Sequence, residues 1–372
     1  MSNKPKIYKY KTHRNLVARL RDDLSVKDFL LLYAYNGTGK TRLSMEFKER
    51  GKTANPPRDT LYFNAFTEDL FTWENDLEND SERHLKINSD SKFFTGLEEL
   101  ALEEKIFAFL ERYAEIDFRI DYENWKVSFS KQVKNPRYRS GGDRPEFTMQ
   151  NDIKVSRGEE NIFIWCFFLA ICEITIDENE SYNWVKFIYI DDPISSLDDN
   201  NAIAVATDLT KLIKSGKGKV KTIVSSHHSL FFNIICNELK KFEHNRYFIH
   251  KNGHEGLVLQ KTNDTPFFHH VALLSELKRL SDAEKTNTYH FNALRSIMEK
   301  TASFFGFEDF SKCIHGLEED EVLYERALQL LSHGKYSIYD PVEMNEDNKR
   351  LFKSILEAFL DRYKFELPVL VH

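Results

Sequence analysis

The 372-residue sequence lacks any apolar run of the roughly 20 residues that a membrane-spanning helix needs. Its longest apolar stretch, NIFIWCFFLAICEITI (161–176), is interrupted at Glu173 and predicts a buried helix instead. The basic N-terminus, MSNKPKIYKYKTHR, has no apolar segment of the kind that a secretory signal contains. We therefore expect a cytoplasmic protein that has no membrane partner.

Cysteine is also scarce, and its four positions contain no CxxC pair. This spacing argues against a zinc site and favours reduced thiols in the core of a cytoplasmic protein. The net charge of −7 argues against a surface that is basic throughout, although a local basic patch stays open. With 41% hydrophobic and 30% charged residues, the chain has an ordinary globular composition, and its length suggests two domains.

Apolar strand candidates alternate with helical segments over the first two thirds of the chain, which predicts an α/β fold with a parallel sheet. The strand candidates are DFLLLYA (28–34), TLYFNAF (60–66), KFIYI (186–190) and KTIVSS (221–226). Helices are expected near 95–114, 158–176 and 199–214, and a hairpin near 117–130. The charged region 67–92 carries no predicted strand, and the turn-rich stretch 132–150 is expected to be a surface loop.

The pattern changes after about residue 265, where only helices are expected. They cover 269–281, 285–305, 318–332 and 345–363. We therefore predict an NTPase head at 1–265 and an all-helical domain at 266–372. The sequence shows no internal repeat and no heptad run long enough for a coiled coil.

The segment AYNGTGKT (34–41) has the composition of a loop that surrounds nucleotide phosphates with backbone N–H groups. It follows an apolar strand and opens a helix, as the motif requires, although Ala34 stands where the first glycine usually stands. A chance flexible turn is the alternative. The residues expected to contact the nucleotide are Asn36, Gly37, Thr38, Gly39, Lys40, Thr41 and Arg42.

The strand IYIDDP (188–193) supplies the acidic partner of such a loop. Asp191 would bind Mg²⁺ together with Thr41, and Asp192 would orient the attacking water as a general base. The alternative is a strand end capped by a turn-forming Asp-Asp-Pro sequence. The phosphate loop upstream favours the NTPase interpretation.

Three further segments follow the order found in one class of NTPase. They are SRGEEN (156–161) at a helix start, SSLDDN (195–200) after the acidic strand, and VSSHH (224–228) at the next strand end. With the loop and the acidic strand, they resemble ABC-type ATPase heads of the SMC kind over about residues 28–230. Such heads sandwich ATP or GTP between two subunits, which implies a homodimer.

On this resemblance, Ser156, Gly158 and Glu159 would contact nucleotide as the signature, and His227 rather than His228 would be the switch histidine. Arg157 and Glu159 depart from the usual signature residues. Asn64 could couple the metal to the dimer interface, or it could be a strand-end turn residue. The short spacing between loop and signature leaves no room for long coiled-coil arms.

The helical region contains TYHFNALRSIMEKTASFFGF (288–307), with Phe291, Leu294, Met298 and Phe305 at helical spacing and Gly306 as a stop. Arg295 and Glu299 lie one turn apart on the same helix, and His333 follows at a later helix end. A surface ion pair and a capping histidine are the ordinary interpretation. Arginine, glutamate and histidine together are also sufficient for RNA cleavage without a metal.

Four segments decide between these interpretations: FNAFTEDLFTWENDL (63–77), SRGEENIFIW (156–165), IDDPISSLDDN (190–200) and YHFNALRSIMEKTASFFGF (289–307). Together they resemble the PrrC-type anticodon nucleases over nearly the whole chain. The resemblance implies a bacterial phage-defence toxin whose ABC-type head controls a C-terminal tRNA nuclease.

On the same resemblance, the nuclease triad falls on Arg295, Glu299 and His333. The implied substrate is a tRNA, commonly the lysine tRNA, and the implied partner is a type I DNA restriction–modification complex. QKTND (260–264) resembles an anticodon-reading segment, which makes Lys261 and Asp264 candidates, although a polar linker is the alternative. Two other functions stay open: an SMC-type DNA-repair ATPase, and a nucleotide-gated switch whose tail is a docking module.

Overall fold

The computed structural model describes residues 6–52, 58–64, 70–75, 83–89, 102–136, 138, 145–193, 199–251, 256–262, 268–314 and 344–363. Its contacts divide the chain into two compact units. The larger unit holds residues 9–35 and 39–259, and the smaller unit holds residues 1–8, 36–38 and 260–372. The expected domain boundary near residue 265 stays a prediction.

A seven-stranded sheet forms the centre of the fold. Its strands are β1 (Ile7–Tyr10), β2 (Phe29–Tyr33), β3 (Thr60–Asn64), β9 (Phe187–Asp191), β10 (Lys221–Ser226), β11 (His244–Lys251) and β12 (Leu257–Lys261). Their order is β1-β12-β11-β2-β10-β9-β3, and the four pairings from β11 to β3 are parallel. All five residues of β2 are buried, as expected for a central strand that is covered on both faces. The predicted α/β fold is confirmed.

Helices connect and cover the strands of the larger unit. They are α1 (His13–Val26), α2 (Lys40–Lys52), α3 (Leu102–Leu110), α4 (Arg157–Ile176), α5 (Asp199–Ser215) and α6 (Ser229–Glu238). Helix α4 is the predicted apolar helix, and it is buried on nearly every face rather than along one stripe. Among the described residues, no helix is both long and apolar enough to cross a membrane.

A second, antiparallel sheet packs on α4. Its strands are β4 (Phe71–Asn75), β5 (Arg83–Ile87), β6 (Asp117–Asp121), β7 (Lys126–Lys134) and β8 (Phe147–Gln150). The ring of Phe163 in α4 lies 5.1 Å from Phe118 and 5.1 Å from Phe129, both on the sheet. The predicted hairpin near 117–130 is confirmed as β6 and β7.

One expectation in this region is wrong, and two strands were not predicted. The charged region 67–92 contains the unpredicted strands β4 and β5, which are ordered by their cross-strand pairs despite the charged composition. The stretch 132–150 is not a continuous loop, because residues 147–150 pair with 131–134 as an antiparallel extension of β7.

In the smaller unit, the described helices are α7 (Phe268–Asp282), α8 (Tyr289–Phe305) and α9 (Glu346–Tyr363). Phe291, Leu294 and Met298 of α8 are buried, as predicted. Phe305 is 53% exposed, so its expected place in the apolar stripe is wrong. Gly306 ends α8 with φ 73°, a left-handed conformation that glycine adopts without strain, which confirms the predicted stop.

Candidate functional site

Strands β2, β9 and β10 all run in parallel, so their carboxyl ends meet at one edge of the sheet, where open α/β sheets bind ligands. A six-residue loop follows β2, and α2 begins at Lys40. Gly37 has φ 77° and Gly39 has φ 102°, both in the left-handed region. A Cβ on Gly39 would also lie 3.1 Å from Nε2 of His13, so the loop needs glycine at both positions.

Lys40 is folded back over its own loop. Its Nζ donates to the carbonyl oxygen of Ala34 at 3.0 Å and lies 3.1 Å from Oδ2 of Asp192. The residue is only 7% exposed. A buried ammonium requires paired acceptors, and here a carbonyl and a carboxylate supply them where a phosphate group would otherwise do so.

Asp191, at the end of β9, is 2% exposed and is held by two hydroxyl groups. Its Oδ1 accepts from Oγ of Ser225 at 2.6 Å, and its Oδ2 accepts from Oγ of Ser44 at 3.0 Å. Burial, and then the nearby charge of Asp192, raise the pKa of Asp191 above its ordinary value, against the opposing effects of the two serines and Lys40. The carboxylate is therefore oriented but poorly solvated.

Asp192 links the lysine to a histidine. Its Oδ1 accepts from the backbone N–H of His227 at 2.8 Å and lies 2.9 Å from Nδ1 of that residue. Burial alone would raise the pKa of Asp192, but the hydrogen bonds from His227 and the charge of Lys40 lower it below its ordinary value. The backbone of Asp192 has φ 48°, a left-handed conformation that aspartate tolerates better than most residues.

The neighbouring histidine has a different role. His228 is the N-cap of α6, and its Nδ1 accepts from the backbone N–H of Phe231 at 3.3 Å. The structure therefore brings Lys40, Asp192 and His227 together and places His228 in a helix cap. Lys40, Asp191, Asp192 and His227 form the candidate nucleotide site, called the nucleotide site below.

The groups at Asp191 that could bind a metal ion present oxygen atoms, which are the ligands that Mg²⁺ prefers. Within the described part of the chain, no group of three or more His, Cys, Asp or Glu side chains could hold a metal ion. Mg²⁺ is commonly held by one or two carboxylates together with substrate phosphates. Asp191, with the half-buried Thr41 at the start of α2, fits that arrangement.

The expected signature forms the start of α4. Ser156 is the N-cap: its Oγ accepts from the backbone N–H of Glu159 at 3.2 Å, and the Glu159 carboxylate accepts from the backbone N–H of Ser156 at 2.8 Å. Glu159 therefore contacts the chain as a capping residue. A Cβ on Gly158 would meet nothing closer than Oγ of Ser156 at 4.0 Å, so packing within the chain does not require glycine there.

Three residues that surround Asp191 were not predicted from the sequence: Ser44, Ser225 and Tyr62. Ser44 and Ser225 hold Asp191, and the hydroxyl of Tyr62 lies 2.9 Å from Oγ of Ser44. Ser225 is the register partner of Asp191 on the adjacent strand, and only the pairing of β9 with β10 could have identified it. Asn64 is the register partner of Asp191 on the other side.

In the smaller unit, the tail pair consists of Arg295 and Glu299 on α8. Nε of Arg295 donates to Oε1 of Glu299 at 2.7 Å, and the side chains are 33% and 47% exposed. The guanidinium also lies 5.1 Å from the ring centre of Phe310. The structure therefore orders this pair on an accessible helix face.

Of the other candidates in this region, Lys261 alone falls within the described residues. His333 and Asp264 lie outside the described residues, as do residues 195–198 of the expected SSLDDN segment. Lys261 is described at the end of β12, and its backbone N–H donates to the carbonyl oxygen of Lys6 at 2.9 Å.

Comparison with known proteins gives a family and a relative. Residues 145–361 match the family model AAA_13, described as an AAA domain. The chain is 32% identical over 367 residues to an "Anticodon nuclease" of Escherichia coli, covering 88% of this chain and 87% of that protein. It is also 29% identical over 161 residues to an uncharacterized protein of the chromosomal cassette SCCmec type IVc of Staphylococcus aureus (strain MRSA252), covering 41% of this chain and 22% of that protein.

Among solved structures, the chain is similar to an SMC head domain from Thermotoga maritima. The sequence identity is 14% and the TM-score is 0.30, over 62% of this chain and 89% of that one.

Proposed function

The chain belongs to the anticodon nuclease family and contains its AAA-type ATPase domain, and from that premise we propose that it is a nucleotide-regulated endoribonuclease that cuts a tRNA in its anticodon loop. The observation that carries the proposal is the 32% identity to an anticodon nuclease over 88% of this chain and 87% of that protein.

The tail pair supports cleavage without a metal. The 2′-hydroxyl of the RNA attacks its own phosphate while Glu299 or His333 takes its proton, and the other group protonates the departing 5′-oxygen. Arg295 stabilises the charge that develops on the phosphate oxygens. The bond to the 5′-oxygen breaks, so the products carry a 2′,3′-cyclic phosphate and a 5′-hydroxyl.

The nucleotide site supports hydrolysis of ATP or GTP as the regulatory step. The terminal phosphates would draw the Lys40 ammonium away from Asp192, since they carry more negative charge than one carboxylate. Asp192 then stays with His227 and is free on its other oxygen to orient a water molecule. Mg²⁺ held by Thr41 and Asp191 would neutralise phosphate charge.

The signature supports head-to-tail homodimers. Ser156 and Gly158 of one copy would contact the nucleotide held by the loop of another copy, at Asn36 to Arg42. The open space beside Gly158 is the local observation in favour, since a phosphate could approach the backbone there. Glu159 would act indirectly, by stabilising the helix cap that positions Ser156 and Gly158.

Several finer features also belong to this proposal. They are a preference for the lysine tRNA, reading of the anticodon by Lys261 and Asp264, silencing in a type I DNA restriction–modification complex, action as a phage-defence toxin and a cytoplasmic location. Each follows from the resemblance of the sequence to anticodon nucleases and needs its own test. The division into a head at 1–265 and a nuclease domain at 266–372 is likewise proposed.

The test is to incubate the activated full-length protein with lysine tRNA and to map both new RNA ends. We expect a 2′,3′-cyclic phosphate and a 5′-hydroxyl, and no cutting by Arg295→Ala or Arg295→Lys, because a compact ammonium cannot make the two-pronged phosphate contact. Arg279→Ala is the matched control: Nε of Arg279 lies 2.9 Å from Glu276 in a similar pair on α7.

A 5′-phosphate product would contradict the proposed chemistry. Cutting that survives Arg295→Ala and Glu299→Ala unchanged would show that the tail pair is only a surface ion pair. In that case, the nucleotide-gated docking module becomes the better interpretation.

A further inference from the structure

Four side chains form a continuous hydrogen-bonded row that ends at the buried Asp191. Nδ2 of Asn64 donates to the hydroxyl oxygen of Tyr62 at 3.0 Å. That hydroxyl lies 2.9 Å from Oγ of Ser44, which in turn donates to Oδ2 of Asp191 at 3.0 Å. Two strands and a helix of the larger unit, β3, β9 and α2, contribute to the row.

The chemistry of the two ends sets the direction of every bond. The amide nitrogen of Asn64 can only donate, and an ionised Asp191 can only accept. Tyr62 and Ser44 each have one hydroxyl hydrogen, so Tyr62 accepts from Asn64 and donates to Ser44, and Ser44 donates onward. Ser44 also has the carbonyl oxygen of Thr41 within 2.9 Å, but a carboxylate is the stronger acceptor.

The strand geometry explains why the row starts at Asn64. Tyr62 and Asn64 are two residues apart on β3, so both side chains lie on the same face of the strand. Strand β3 is an edge strand of the sheet, and Asn64 is its last residue and the register partner of Asp191. A change in the orientation of Asn64, at the end of β3, therefore alters its hydrogen bond to Tyr62 directly.

We infer that Tyr62 is a positioning residue of the nucleotide site, which relays the orientation of Asn64 through Ser44 to the carboxylate of Asp191. This inference rests on the proposed nucleotide hydrolysis. It connects Asn64 to the carboxylate that would bind the metal. The connecting group is the phenol hydroxyl of Tyr62, a residue that belongs to none of the motifs of the head.

Two observations show that the hydroxyl can be tested alone. The ammonium of Lys48 lies 5.1 Å from the ring centre of Tyr62, a contact that phenylalanine would keep. Burial raises the pKa of Tyr62 to about 12, so the phenol keeps the hydrogen that it donates. Tyr62→Phe therefore removes the relay and leaves the ring in place.

The experiment uses the full chain and compares wild type with Tyr62→Phe. Nucleotide affinity is measured by calorimetry with Mg²⁺ and with a chelator, and hydrolysis is measured as a function of Mg²⁺ concentration. We expect Tyr62→Phe to bind nucleotide normally in chelator but to need about three to ten times more Mg²⁺ for half-maximal binding and hydrolysis, as expected for the loss of one hydrogen bond.

The matched control is Tyr113→Phe. The hydroxyl of Tyr113 also donates to a carboxylate, Asp208, at 2.7 Å, but on α5 rather than at the nucleotide site. We expect its Mg²⁺ requirement to equal that of wild type. Equal requirements for wild type and Tyr62→Phe, or the same increase in Tyr113→Phe, would overturn the relay.

A second pair of variants tests transmission itself. Asn64→Ala should raise the Mg²⁺ requirement in the wild-type background and have little further effect in the Tyr62→Phe background. Effects that simply multiply would show that the two residues act independently and would overturn the inference. Failure of the proposed function is a distinct result, because the wild-type protein itself would then neither bind nor hydrolyse nucleotide.

Discussion

The nucleotide site and the tail pair contain the same kinds of charged groups, but their surroundings enclose them to different degrees. Lys40 and Asp191 are 7% and 2% exposed, and each contacts a side chain from a distant part of the chain. Arg295 and Glu299 lie one turn apart on an accessible face of one helix. The fold thus fixes the groups of the nucleotide site from distant segments of the chain, whereas the tail pair forms within a single helix.

Changes at the two sites should affect stability and catalysis differently. An exposed ion pair one helical turn apart stabilises a helix by about 0.3–0.5 kcal/mol, so the fold has little need of the tail pair. A buried carboxylate changes stability with its protonation state. Variants at the two places should therefore affect different measurements.

The largest expected effect is on RNA cutting by Glu299→Gln. The amide keeps its size and can still accept from Arg295, but it cannot take a proton, so cutting should slow by about 10²–10⁴-fold. Nucleotide hydrolysis should be unchanged, and the free energy of unfolding should change by less than about 0.5 kcal/mol. Glu276→Gln on α7 is the control. Cutting of lysine tRNA at the wild-type rate would remove Glu299 from the mechanism.

The next largest effect is expected for Asp192→Asn. Hydrolysis should slow by about 10²-fold, because the amide cannot orient and deprotonate water as a carboxylate does. Nucleotide binding should remain, and a closed dimer should accumulate. Calorimetry and phosphate release measure the two steps separately, and wild-type hydrolysis would contradict the assignment of the base.

A smaller effect is expected for Gly158→Ala, which tests assembly. A Cβ there meets nothing within the chain nearer than 4.0 Å, so the protein alone should fold normally. If the backbone at Gly158 contacts nucleotide on a second copy, dimerisation with a slowly hydrolysed nucleotide should weaken by about tenfold. Light scattering measures this, and a nucleotide-bound wild type that stays monomeric at micromolar concentration would exclude the sandwich.

The smallest effect is on stability, and it distinguishes the enclosed site from the exposed pair. The folded state raises the pKa of Asp191, so this residue favours folding most below its unfolded pKa of about 3.9 and loses that contribution as pH rises through the folded pKa. Without nucleotide or Mg²⁺, Asp191→Asn should therefore unfold at a higher temperature than wild type near pH 7.

The difference between Asp191→Asn and wild type should shrink as the pH falls toward 4. Thermal unfolding in chelator across this pH range is the measurement. A variant that is less stable than wild type at pH 7 would show that the hydrogen bonds from Ser44 and Ser225 outweigh the burial of the charge.

The parts of the fold that the sequence predicted are those with strong local patterns. The strand before AYNGTGKT, the acidic strand and KTIVSS were expected within one residue of their observed bounds, because each is an apolar run with a turn signal after it. Strands β1, β4, β5, β8, β11 and β12 were not predicted. For β4, β5 and β8, the sequences are largely charged or polar and the order comes from pairing with neighbours.

The same distinction applies to the site. Lys40, Asp191, Asp192 and His227 belong to motifs that can be read from the sequence. Ser44, Ser225 and Tyr62 belong to none, because a serine three residues after the loop has no recognisable partner until β9 is placed beside α2. For Asn64, the sequence allowed either a coupling residue or a strand-end turn residue. Its hydrogen bond to Tyr62 provides a physical connection for the coupling role.

By itself, the sequence determined which chemical groups stand at strand ends and helix starts: a glycine loop with its lysine, two adjacent aspartates and an arginine–glutamate pair one turn apart. These depend on local spacing alone. Only the tertiary structure decided the partners of each group. Ser44 and Asp191 are 147 positions apart in sequence, and a left-handed backbone at Asp192 directs its carboxylate to both Lys40 and His227. Burial then makes these contacts matter, because charges removed from water require the partners that the fold supplies.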